Sequence, residues 1–214
     1  MGLQIRPATI DDVDFLAWVI LTASRSHLER GLWDIALGRD EEGCLSFLRE
    51  LARAEPRSWA HYSRFIVAEV DGRAAAAMCG YDPIEAGTPV MDAAIAEAAK
   101  QVGWSDGDVA DYFSRFEPLG TCFSDDVEGA WVIESVATLP AYRRRGLVNS
   151  LLETQLDAGR ASGHRLAQIS ILIGNTPAQR AYENLGFLPD KEKRHADFET
   201  LVGVPGMLRL LRVL

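Results

Sequence analysis

Three consecutive arginines, Arg143, Arg144 and Arg145, stand directly before Gly146 in a chain that is otherwise strongly acidic. The residues ahead of them, Ala130 to Thr138, are rich in β-branched and aromatic types and are closed by Leu139-Pro140, so they read as a strand. Past Gly146 the period becomes helical: Leu147, Leu151, Leu152 and Leu156 share one face, and Gly163 is a stop. The first turn of such a helix leaves backbone N–H groups unpaired and carries partial positive charge. With arginines beside it, the turn is suited to receive an anion, phosphate above all. A merely solvated basic turn is the other reading of the same residues. Glu134 is the second chemical candidate, a lone carboxylate inside the apolar strand. It could take a proton, or it could be an ordinary solvated or ion-paired Glu on a sheet surface.

The rest of the chain must hold these residues in place. Its 214 residues and 48% hydrophobic content suit one domain, 1–214, with a substantial core. A formal charge of −9 argues against nucleic acid as a partner and favours neutral or cationic acceptors, although solubility also explains it. Cys44, Cys79 and Cys122 are widely spaced and form no metal-ligand pattern with the four histidines. They are expected to be reduced, buried thiols of a cytoplasmic protein with no metal. Neither a signal-peptide apolar stretch in Met1 to Pro7 nor a run of about 18 apolar residues is present, so no membrane partner is expected.

Leu3 to Arg6 alternates and stops at Pro7, giving a short strand; Thr9 or Asp11 then caps a helix carrying Val13, Phe15, Leu16, Val19 and Ile20. His27 to Gly38 holds Leu28, Leu32, Trp33 and Leu37 among charges, with Trp33 packing and Asp34 solvated on one reading. Asp40 to Ala54 is helical. Arg64 to Val70 and Arg73 to Tyr81 are two arms of a hairpin through Asp71-Gly72, the second an alanine-rich strand that packs closely under something. From Pro83 to Phe123 lies a helical insertion, Met91 to Val102 and then a helix opened by Trp104-Ser105-Asp106 and ended by Pro118-Leu119-Gly120. It could wall an acceptor site, make a homodimer contact, or be an inert surface decoration. Arg165 to Ile173 alternates as a strand, Thr176 caps a short helix with Pro177 in its first turn, and Gly186 ends that helix. Phe187-Leu188 and Leu208 to Leu214 begin and complete the last strands.

The segment from Ala130 to Leu156 resembles the acyl-CoA-binding core of the GNAT superfamily of N-acetyltransferases. The loop pattern there is Arg or Gln, any, any, Gly, any, Gly or Ala, and Arg143, Gly146 and Val148 occupy its defined positions, Val148 departing from the small residue. Asn175, Ala178, Ala181, Tyr182, Gly186 and Phe187 are similar to a second element of that superfamily, a helix ending in Tyr and then Gly-Phe. The resemblance covers Ala130 to Phe187 firmly.

It implies an α/β fold with a mixed, mostly antiparallel central sheet flanked by helices, the helical insertion falling between the third and fourth strands. The strands ending at Thr138 and Ile173 would splay apart. The pantetheine arm of acetyl-CoA would pair with the vacant edge at Val136, Ala137 and Thr138. Its pyrophosphate would lie at Arg144, Arg145, Gly146, Leu147, Val148 and Asn149, with Arg143 also binding the cofactor and Asn175, Ala178 and Tyr182 lining the arm. The implied reaction is acetyl transfer to a primary amine, of a small molecule or a peptide, by direct attack in a ternary complex. Glu134 would be the base, expected on one face with Val132, Val136 and Thr138, and the N–H near Val136 would hold the oxyanion. Tyr182 would protonate the departing thiolate. A non-catalytic CoA-binding sensor or regulatory module is the alternative.

Overall fold

Positive φ at both Asp71 (52°) and Gly72 (78°) gives the tight turn that matches strand twist, and it joins β2 (Phe65–Val70) to β3 (Arg73–Tyr81) as the sequence predicts. The computed structural model describes residues 2–214, and in it β1 (Leu3–Pro7) pairs antiparallel on the far side of β2. On the other side of β3 follow β4 (Ala130–Thr138), β5 (Leu166–Leu172), and then β7 (Gly206–Val213) ahead of β6 (Leu188–Arg194). Only the β4–β5 pair is parallel. The seven-stranded sheet is therefore mixed and mostly antiparallel, as expected.

Helices cover both faces. Val13–Arg25 (α1), Leu32–Leu37 (α2) and Glu41–Arg53 (α3) precede β2, and Asp40 caps α3 by accepting from the Gly43 N–H at 3.0 Å. Between β3 and β4 come Pro83–Ala86 (α4), Thr88–Gln101 (α5) and Asp106–Gly120 (α6). Leu147–Ala161 (α7) follows β4, Thr176–Glu183 (α8) follows β5, and Ala196–Val202 (α9) links β6 to β7. Neither α4 nor α9 is legible in the sequence; each is a helix of only two turns or fewer. Pro118 lies inside the last turn of α6, which ends at Gly120, within the expected Pro118-Leu119-Gly120 stop.

Two buried clusters occupy the two faces of the sheet. One gathers α1, α3 and α5 side chains against Ala77, Cys79, Tyr81 and Val132; the other gathers Leu147, Leu151, Leu152 and Leu156 of α7 against Ala76, Met78 and Ile133. This explains the alanines of β3. The strand lies between α1 and α7, both of which touch it, and Ala75, Ala76 and Ala77 are fully buried. At Gly80 a Cβ would fall 2.0 Å from Gln155 Oε1 and 2.6 Å from Trp131 Nε1, so a larger residue would displace the hydrogen bond between those two side chains.

The insertion is not a surface decoration. Met91, Ala94, Ile95, Ala98, Tyr112 and Leu119 are buried in the first cluster, α5 packs on α3, and α6 packs on α2. Trp104 stacks on Phe47 with ring centroids 4.7 Å apart. Asp34 is not solvated either. It is 5% exposed, receives Arg25 at 2.8 Å, and accepts the Gly31 N–H at 2.8 Å to open its own helix. Burial alone would raise its pKa, but the Arg25 and Gly31 hydrogen bonds outweigh that and hold it below the usual carboxylate range.

Candidate active site

The sheet opens where the chemistry was expected. Pairing between β4 and β5 runs from Ala130 opposite Leu166 to Ile133 opposite Ile169 and then stops, although both strands continue. Glu134 to Thr138 thus keep β3 on one side and a vacant edge on the other. A vacant strand edge offers N–H and C=O groups at the repeat an extended amide chain can match.

The pairing of β4 with β3 is irregular at the same place. Cys79 lies opposite Glu134 and Ala77 opposite Ala137, so β4 spends one extra residue between these pairs. Ser135 absorbs it with a φ of 52°, a conformation few non-glycine residues adopt. The extra residue reverses the alternation. Val132 packs in the first cluster and Ile133 in the second, which leaves Glu134 on the side of Val132 and Tyr81; beyond the bulge Val136 packs in the second cluster and Ala137 in the first. The expectation that Glu134, Val132, Val136 and Thr138 share one face therefore fails at its middle. Val136 and Thr138 face α7 and α8, and Glu134 faces the opposite side.

Glu134 is half-buried by surface area, yet enough apolar protein surrounds its carboxyl to push its pKa to about 7, with the charge of Asp126 as a smaller cause. No arginine or lysine pairs with it among the described residues. A carboxylate poised there is matched to taking a proton near neutral pH.

On the other face Tyr182 sits inside α8, 6% exposed, with Ala178 one turn earlier packed on the same cluster. Burial raises its pKa well above that of a free phenol, so the hydroxyl holds its proton. The N-cap of α8 is Asn175 and not Thr176: its Oδ1 accepts the Ala178 N–H at 3.3 Å, and its Nδ2 donates to Ser26 Oγ at 2.6 Å. One amide N–H of Asn175 remains uncommitted by these bonds. Thr176, the cap the sequence predicts, is the first residue of the helix instead.

Between these elements the chain passes through Arg143 to Gly146, all exposed. Arg143 Nε donates to the Thr138 carbonyl at 3.3 Å, Arg145 Nη2 donates to the Ala141 carbonyl at 2.9 Å, and Arg145 also lies over the Tyr142 ring. Arg144 (φ 61°) and Gly146 (φ 78°) both take left-handed backbone, which turns the chain sharply into α7. Gly146 supplies no side-chain cap, so the first-turn N–H groups at Leu147, Val148 and Asn149 are left for an incoming acceptor. Val148 packs into the second cluster, away from that turn's polar edge. Thr138 Oγ1 is buried beside the splay with no hydrogen-bond partner among the described residues. A concavity of about 460 Å³ lined by Glu153, Asp157, Arg160, Asn184 and Arg212 includes none of these residues.

The pattern for the acetyltransferase (GNAT) family matches residues 33–187, most of the chain. The protein is a member of the GNAT acetyltransferase family. Its fold agrees with solved GNAT structures. One described as an acetyltransferase superposes with a TM-score of 0.71 at 19% identity, covering 98% of each chain. An N-acetyltransferase from Staphylococcus aureus Mu50 superposes at 0.68 and 17% identity, covering 99% of this chain and 100% of that one. Comparison by sequence with curated proteins finds no match. In this GNAT protein Val136 of the splayed edge, Val148 after the arginine turn and Tyr182 of α8 all pack in the second cluster, on one face of the sheet. Sequence reasoning missed Ser135, whose bulge sorts the faces, and Tyr81 and Asp126, which lie near Glu134 only because β3 and the loop before β4 fold back beside it. Nothing local in the sequence signals either.

Proposed function

We propose that the protein transfers an acetyl group from acetyl-CoA to a primary amine by direct attack in a ternary complex. The observation that carries this reading is the parting of β4 from β5 beside an uncapped helix start and a buried, unpartnered Thr138 hydroxyl. A ligand with amides and phosphates would satisfy all three. The vacant edge at Val136 to Thr138 would bind the pantetheine amides, Asn175 and Ala178 would line that arm, and Arg143 to Asn149 would hold the pyrophosphate. Acetyl-CoA would supply the acetyl group as a thioester and leave as the thiol.

The residues of the chain divide the proton work. An alkyl amine with a pKa of about 10 is mostly protonated at neutral pH, so Glu134 would take a proton before attack. Tyr182 would hold the proton given to the departing sulfur. The two stand on opposite sheet faces, and the splay is where groups from both faces can reach one ligand. A backbone N–H of the β4 edge would stabilise the oxyanion.

Thermal stability with and without CoA tests the reading at least cost. A ligand that binds only the folded state adds about 2.7 kcal/mol at a hundredfold excess over its dissociation constant. The expected result is a clear rise in Tm with CoA or acetyl-CoA, reduced by reversing charge at Arg144 and Arg145 together, plus amine-dependent thiol release. No response of the wild-type protein to saturating CoA would sink the reading.

A further inference from the structure

On the Glu134 face, three neighbouring strands project polar side chains into one place. Tyr81 of β3 lies opposite Val132, Glu134 follows two residues on, and Gln168 of β5 lies opposite Val132 from the other side. Gln168 is 3% exposed and uses both ends of its amide. Its Oε1 accepts the Val127 N–H at 2.9 Å and its Nε2 donates to Asp126 Oδ1 at 2.7 Å, which fixes Asp126 at the rim of the same face. From strand spacings, the Cα atoms of Glu134 and Gln168 are roughly 8 Å apart. Asp126 is thereby held over the face that carries Glu134, near enough for its charge to act on that carboxyl, with Glu134 half-buried and Asp126 open to solvent.

Neither carboxylate has a full cationic partner. Glu134 pairs with none among the described residues, and Arg209, whose charge acts on Asp126, gives its guanidinium to Asp190 at 2.6 Å and to the Asp125 carbonyl at 2.6 Å. Tyr81 supplies an independent observation. It is 2% exposed, its hydroxyl makes no hydrogen bond among the described residues, and both Glu134 and Asp126 lie close enough for their charges to act on it. Trp59 stacks on Tyr81 with ring centroids 5.7 Å apart, adding a second aromatic face. Paired carboxylates, a buried phenol without a partner and stacked aromatic rings are the groups that recognise ammonium or guanidinium.

We propose that the acceptor is an amine carrying a second cationic group on a short alkyl chain, its reacting nitrogen at Glu134 and its far cation between Asp126 and Tyr81. This rests on the acetyltransferase reading of the site, since it assigns the second substrate of that reaction. It differs from that reading in what it requires: the acetyl donor's site plays no part in the preference.

Calorimetric titration of the CoA-loaded protein with diaminobutane and with butylamine, which differ only in the second amine, tests it. Diaminobutane should bind at least tenfold more tightly. Asp126→Asn, which keeps an oxygen for Gln168 to donate to, should bring the two amines within about threefold of each other while leaving the CoA thermal shift in place. Should that variant fail to fold, Tyr81→Phe carries the same readout. Equal binding of the two amines, binding of neither, or a preference retained in the folded variant overturns the proposal. Failure to bind CoA is a separate outcome that removes the acetyltransferase reading, and the diamine preference can then be read on the unliganded protein.

Discussion

Cys79 and Glu134 stand opposite each other across β3 and β4, and the Cys79 thiol donates to the Glu134 carbonyl at 3.3 Å. This is the last regular pair before the β4 bulge. It anchors Glu134 on the Tyr81 side of the sheet, and the extra residue at Ser135 then sends Val136 to the Tyr182 side. One irregularity in one strand therefore separates the acceptor side from the donor side.

Glu134→Gln should remove one limb of the pH profile. With the Glu134 pKa at about 7, wild-type kcat/KM should rise through an inflection near that pH, because the ionised form is the base. The variant should lose about 10² or more in rate at pH 7 and recover toward high pH, where free amine is abundant. A loss of equal size at every pH would assign Glu134 to positioning.

Tyr182→Phe keeps the ring that packs 6.2 Å from Phe187 and removes only the hydroxyl. Since a thiolate is a fair leaving group, kcat should fall by about 10² or less, the lower end for general acids. Apo stability should stay within about 1 kcal/mol, and the CoA thermal shift should not change. Unaltered turnover with a verified acceptor would make Tyr182 a packing residue.

Asp34→Asn should destabilise the fold without touching the site. Breaking a buried ion pair by removing one partner leaves the other uncompensated; here Arg25 keeps Glu41 at 2.8 Å, so the cost should be roughly 2 to 4 kcal/mol in chemical denaturation. The pH dependence has a definite sign. The folded pKa of Asp34 is depressed, so its stabilisation is present above the unfolded value of about 3.9 and is lost as pH falls through the lower folded one. The stability gap between wild type and variant should narrow below about pH 4 and be flat above it.

Tyr112→Phe should stabilise. The Tyr112 hydroxyl is buried in the insertion with no hydrogen-bond partner among the described residues, and the residue is 1% exposed. Phenylalanine fills the same space without the desolvation cost, so a gain of about 1 kcal/mol is expected in the same denaturation assay. A loss of that size would mean the hydroxyl has a partner in solution.

Replacing residues 83–123 by a flexible linker should abolish folding, since that segment buries Met91, Ile95, Tyr112 and Leu119 against α2 and α3. A circular-dichroism spectrum that kept cooperative melting would contradict this.

Local physics made much of the protein legible in its sequence. Asp71-Gly72 announced a hairpin because only certain residues tolerate its positive φ, and the change of period at Gly146 announced α7 because apolar residues recurring at helical spacing must share a face. The arginine turn and the Tyr182 helix were readable for the same reason: each is a short stretch whose own residues set its conformation. Tertiary structure alone decided the rest. Alternation assumes an unbroken ladder, and the Ser135 bulge arises from how β4 meets β3, so the faces of Val136 and Thr138 could not be read from β4 by itself. Asp34 reads as a surface charge until Arg25, nine residues earlier, is folded onto it. The elevated pKa of Glu134 has the same origin. Desolvation and the charge of Asp126 belong to the surroundings, and surroundings are assembled from strands far apart in the chain.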